Sequence, residues 1–209
     1  MEAKTESTEA SMLALERGYD LPSRVALFLG LAVLGGAADL WTKASVFEWR
    51  GLPGEAPRWW LIENYVGVET AVNIGALFGM GAGFGFFFAI ASIIAATGIS
   101  VWLFVFGGAR SLWLTIAMGL VMGGIIGNLY DRLGLWYRDG MPEEWKSGVR
   151  DWILIAYGEY TWPNFNIADS LLVVGACMLA WHSFTLQPPI STPNKLLKRD
   201  EIVTPKDGS

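Results

Sequence analysis

The chain is poor in charge, in cysteine and in histidine, and each shortage removes a class of function. Only 17% of its 209 residues are charged and 53% are hydrophobic, whereas soluble domains carry about 25% charged residues. A soluble globular reading is therefore excluded first. Cys177 is the only cysteine, which rules out an intramolecular disulfide framework and a thiolate cluster of metal-ligand spacing. It reads as a small apolar residue in a membrane helix. His182, the only histidine, stands beside the end of a hydrophobic run, where an interfacial imidazole is expected rather than a ligand. No phosphate loop occurs. The net charge of −5 comes without a basic stripe, so nothing offers the clustered cations that nucleic acid requires.

What the chain has is long apolar stretches, and crossing about 30 Å of hydrocarbon takes roughly 20 such residues. Four spans are predicted, at about 23–43, 84–106, 111–131 and 165–186, giving an all-α membrane protein with a small extracytoplasmic β-element. Residues 1–22 and 187–209 are expected to be disordered tails. Between Glu69 and Arg110 no charge occurs. Within that stretch the glycine-rich residues 73–83 should form a loop leading into span two. Residues 44–72 alternate Trp, Val and Glu with Pro and Gly and read as the β-element. Span one, ending Gly35-Gly36-Ala37-Ala38, also has the form of a cleavable signal sequence.

Orientation rests on loop length more than on charge. Eight of the fifteen Lys and Arg residues fall on the side holding both termini. The turn at Arg110 is very short, while residues 44–72 and 133–164 lie on the opposite side. Both termini are expected in the cytoplasm.

Ionisable groups in a span cost at least about 2.5 kcal/mol each, so their presence is a functional hypothesis. Asp39 and Lys43 are four apart and share a helix face, where they can neutralise one another; a purely structural ion pair is an equal reading. Asn128, Asp131 and Arg132 end span three, and Asn166 and Asp169 begin span four, all on one side. Asn73 precedes Gly75 and Gly79, and Asp151 sits in an apolar-flanked loop. With no Ser or Thr near a usable His base, a pair of aspartates is the only acid–base couple on offer. Two carboxylates within hydrogen-bond reach cannot both ionise, so one keeps a proton while the other activates water. A proton-coupled transporter using Asp39, Lys43, Asp131 and Asp169 as a relay is the alternative. The inverted halves expected of such a protein are not visible.

Five segments resemble the lipoprotein signal peptidases, or type II signal peptidases. They are Asp39–Lys43, Asn73–Gly79, the GG-x-x-GN-x-x-DR string at 123–132, Val149-Arg150-Asp151-Trp152-Ile153, and the FN-x-ADS string at 165–170. The resemblance implies a membrane aspartyl endopeptidase without metal or cofactor, residing as a monomer in the bacterial cytoplasmic (inner) membrane. Such an enzyme cuts prolipoproteins on the N-terminal side of a diacylglyceryl-modified cysteine, at the extracytoplasmic face. Its catalytic pair falls on Asp151 and Asp169, and its substrate-binding and supporting positions on Asn73, Asn128, Arg132, Asn166, Asp39 and Lys43. Asp131 is expected to orient Arg132 or cap its helix. The partners implied are lipid-modified prolipoproteins and membrane lipid, with no nucleic acid.

The chain departs from the family pattern at Leu77, Ile125 and Trp152, which are changes of packing. Ser147 replaces a usual glycine four residues before the first catalytic aspartate. About a dozen extra residues, within 133–148, precede that aspartate and contain a rival acid, Asp139. The aromatic and charged content of this insertion suits a surface-lying segment. It either forms a flap over the site or is a solvated elaboration without effect.

Overall fold

The computed structural model describes residues 21–75 and 84–185. The expected tails, apart from the first two helical residues, and most of the expected 73–83 loop with Leu77, lie outside the described residues.

Helix α1 is Leu21–Arg50, α2 is Gly85–Phe104, α3 is Leu112–Arg132 and α4 is Ile167–Thr185. All four are long and apolar enough to cross a membrane. Their outward residues are apolar, Leu34, Phe86, Ile94 and Val173 each being exposed by more than 60%, which is the inverse of a water-facing surface. Helix α1 continues seven residues past the expected end at Lys43, because nothing in Ala44–Trp49 breaks a helix. Gly51, at φ +79°, stops it, donating its N–H to the Phe47 carbonyl at 3.0 Å as C-terminal glycines do. Asp39 and Lys43 therefore lie inside the helix rather than at its end. Between α2 and α3 a short 3₁₀ turn, Gly108–Arg110, reverses the chain, and Ser111 caps α3 by accepting the Leu114 N–H.

Helix α3 packs against the other three, and its glycines set how closely. A Cβ at Gly123 would lie 3.3 Å from the Gly35 Cα and the Ala32 carbonyl of α1, and one at Gly124 only 2.6 Å from the Ala168 carbonyl of α4. One at Gly127 would strike the Asp39 carboxylate. Small residues permit this approach in membranes, where van der Waals packing rather than water exclusion holds helices together. The GG-x-x-G string is thus a two-sided packing surface.

At one end of the bundle stands a four-stranded antiparallel sheet in the order β1 (Trp59–Ile62), β2 (Val66–Asn73), β3 (Val149–Tyr157) and β4 (Tyr160–Phe165). This corrects two expectations. Asp151 lies on a strand rather than in a loop, and half of the sheet comes from residues the β-element was not expected to include. Nine residues, VRDWILIAY, are rich in β-branched and aromatic side chains, but their pairing with β2 is remote in sequence. The register sets Ala71 opposite Asp151, Val72 opposite Arg150 and Asn73 opposite Val149. Phe165, expected to start span four, is the last residue of β4.

Candidate active site

Residues alternate between faces along a strand, so on β3 Asp151 and Arg150 point to opposite sides. Asp151 is 2% exposed. Its Oδ1 accepts 2.7 Å from Asn166 Nδ2, and the Asn73 side chain also hydrogen-bonds it. Burial, joined by the nearby negative charge of Asp169 and opposed by Asn166, Lys43 and Asn73, pushes its pKa up to about 8. A carboxyl so placed holds its proton at neutral pH.

Asp169 is fixed by the start of α4. Asn166 is the cap residue, and its Oδ1 accepts the Asp169 N–H at 2.9 Å while its own N–H donates to Asp169 Oδ2 at 3.3 Å. This reciprocal pair is a capping box. The other oxygen, Oδ1, accepts Asn128 Nδ2 at 2.8 Å. The buried Asn166 amide thus touches Asp151 through its nitrogen and Asp169 through its oxygen, and its Nδ2 also reaches Asn128 Oδ1 at 3.1 Å.

Beneath lies a buried charge network. Lys43 Nζ is 2.7 Å from Asp39 Oδ2, 2.9 Å from Asn128 Oδ1 and 3.4 Å from Asp131 Oδ2, so its three N–H groups each face an oxygen. Asp39 Oδ1 accepts the Ala168 N–H at 2.8 Å, binding α1 to the first turn of α4 in favourable alignment with that helix's positive end. Asp39 and Lys43 have no exposed surface. They support Asn128 and α4 from below, and a place among the substrate contacts does not suit their burial.

Arg132 clamps the approach to the site. Its Nη1 donates to the Asn73 carbonyl at 3.2 Å and the Ser147 carbonyl at 2.8 Å, its Nη2 bonds the Gly75 carbonyl, and its guanidinium lies 5.2 Å from the Phe88 ring centre. Ser147 packs directly on Gly85, where a Cβ would collide with it. The glycine missing at 147 therefore meets one at 85.

One expectation changes. Asp131 neither orients Arg132 nor caps its helix: its oxygens accept Arg150 Nη2 at 2.8 Å, Nε at 3.2 Å and the Arg150 N–H at 2.9 Å. Asp139 is exposed on a turn, apart from the carboxylate network. Arg150 and Trp136 were not singled out from the sequence. An arginine inside an apolar strand run was the available signal.

The family model for signal peptidase (SPase) II matches residues 31–185, a range that includes every residue of this site. The chain belongs to the signal peptidase II family. It is 62% identical over 163 residues to a lipoprotein signal peptidase of Rhodopirellula baltica, covering 78% of this chain and 73% of that one. A lipoprotein signal peptidase of Geobacillus thermodenitrificans is 32% identical, with 79% and 94% covered. The fold also resembles a bacterial membrane enzyme solved by the in meso method at 2.3 Å resolution, with a TM-score of 0.62 and 21% identity over 89% of this chain and 97% of that one. Signal peptidase II enzymes are proteases of the aspartyl type. The transporter alternative finds no support among these relatives.

Proposed function

We propose that this signal peptidase II removes signal peptides from diacylglyceryl-modified prolipoproteins, cutting on the N-terminal side of the lipidated cysteine, with Asp151 and Asp169 as its catalytic pair. The observation that carries this reading is that one residue, Asn166, bonds both carboxylates at once, its side chain donating to that of Asp151 and its backbone N–H to that of Asp169. Asp151 holds the shared proton. Asp169 takes a proton from water as its oxygen attacks the scissile carbonyl carbon, and Asp151 gives its proton to the carbonyl oxygen. When the carbon–nitrogen bond breaks, the proton taken by Asp169 passes to the leaving amine and one hydroxyl of the tetrahedral intermediate returns a proton to Asp151. Asn73, Asn128 and Asn166 fix the two carboxylates, and Arg132 holds the chain at Asn73–Gly75 where substrate enters.

The sheet and both aspartates sit at the end of the bundle to which long segments connect. The opposite end has the tight Arg110 turn. Loop length supports a cytoplasmic place for both termini and an extracytoplasmic site, with the enzyme acting as a monomer. Lipid on the substrate cysteine lies between the helices, where each buried CH₂ contributes about 0.8 kcal/mol. Two such groups already correspond to about a tenfold change in binding.

Purified enzyme is therefore expected to cleave a lipidated precursor so that the product begins with the modified cysteine, and to cleave the unlipidated precursor at least about tenfold less efficiently. Mass spectrometry of both products tests this. Equal rates on the two precursors would contradict the lipid's part in recognition, and no cleavage of either would contradict the activity.

A further inference from the structure

The insertion at 133–148 turns one side chain inward. Trp136 is 9% exposed and its Nε1 donates to the Gly148 carbonyl at 2.9 Å, just before β3 begins. Its ring lies 5.3 Å from the guanidinium carbon of Arg150, which is also 6.0 Å from the Phe47 ring on the last turns of α1. Phe47 and Trp136 meet edge to face at 6.0 Å. The Arg150 cation thus lies against two rings, an arrangement favoured by their negative faces, while Asp131 holds it by two side-chain nitrogens and by its backbone N–H. Beside it a cavity of about 520 Å³ opens, lined in part by Phe47, Trp136, Arg138 and Arg150. Close packing on all sides does not fix Arg150; these three partners do.

Arg150 precedes Asp151 and points to the other face of β3, so it cannot touch the reacting atoms. Its partner Asp131 lies 3.4 Å from Lys43, Lys43 holds Asn128, and Asn128 holds Asp169. One carboxylate thereby links the residue beside Asp151 to the chain of contacts ending on Asp169. We infer that Arg150 is a positioning residue, and that the insertion, through Trp136, is a strut that sets the height of the catalytic strand rather than a flap over the site. The inference rests on the assignment of Asp151 as catalytic. A displacement of about 1 Å in a reacting group costs on the order of 10²-fold in rate.

The test uses the full-length enzyme in detergent and a lipidated precursor, with kcat, KM and thermal unfolding measured for each variant. R150M should lower kcat by about 10- to 100-fold with KM within about twofold. R150K should recover only part of this, since an ammonium lacks the planar fork that bonds Asp131 and lies against the rings. W136A should lower kcat by about tenfold and W136F should restore most of it. The double variant D131N/R150M buries no unpaired charge and so keeps the fold testable. It should remain slow, because neutralising Asp131 does not replace the strut. A normal kcat in D131N/R150M would overturn the inference, as would a normal kcat in folded R150M and W136A. A raised KM with unchanged kcat in W136A would overturn it in favour of a flap. If D151N itself retained activity, the catalytic assignment beneath the inference would fail instead.

Discussion

Asp151→Asn is expected to abolish cleavage while making the protein more resistant to heat at about pH 8. The loss of activity follows from removing the group that carries the shared proton, and general acid–base catalysis is worth about 10² to 10⁴ in rate. Asp169→Asn should lose a comparable factor. The double variant should be little worse than either, because the carboxylates act as a unit. The gain in stability follows from the sign of the shift at Asp151, whose carboxyl moves from 3.8 to about 8 on folding. Between those values the folded protein holds a proton that the unfolded chain has released, so the parent's stability falls as pH rises through that window. Asparagine has no such dependence, and its amide oxygen still accepts the Asn166 bond. The difference in melting temperature should grow from about pH 4 up to about pH 8 and level off above it. Cleavage assays and melts in detergent at several pH values check both halves.

Lys43→Met should have the largest effect on folding. Lys43 is the cation between Asp39 and Asp131, and all three side chains are fully buried. Asp131 keeps Arg150, whereas among the described residues Asp39 has no other basic partner. Breaking a buried pair by removing one member costs about 3 to 5 kcal/mol, because the remaining charge has neither water nor a counter-ion. That is comparable to the total stability of many domains, so little folded protein should be recovered. The charge-neutral double variant, Asp39→Asn with Lys43→Met, should regain most of the lost stability, as thermal unfolding would show. It should remain slow, since Asn128 loses the donor that fixes it against Asp169.

The legible part of this fold was the part written in local pattern. Four uncharged runs gave the helices, and the GG-x-x-GN-x-x-DR and FN-x-ADS strings marked both ends of the polar site. The three-residue spacing of Asn166 and Asp169 is itself a capping box at a helix start. What was not legible depended on long-range pairing. Strand β3 carries Arg150 and Asp151 inside an apolar run, and its strand character is secured by β2, far back in the chain. The partner of Asp131 was missed for the same reason: the adjacent Arg132 faces the Asn73 and Ser147 carbonyls, while Arg150 reaches Asp131 at the end of α3 from strand β3. The insertion was read from its surface-like composition, which Glu143, Glu144 and Lys146 satisfy by being exposed. Trp136, facing inward, has no signature that composition can supply.

The proton held by Asp151 makes the most direct claim on measurement. With purified enzyme and a lipidated prolipoprotein, kcat/KM followed from about pH 5 to about pH 10 should decline above about pH 8 with the slope of a single ionisation, as that carboxyl loses the proton it must donate. A rate that stays level through about pH 10 would contradict the account.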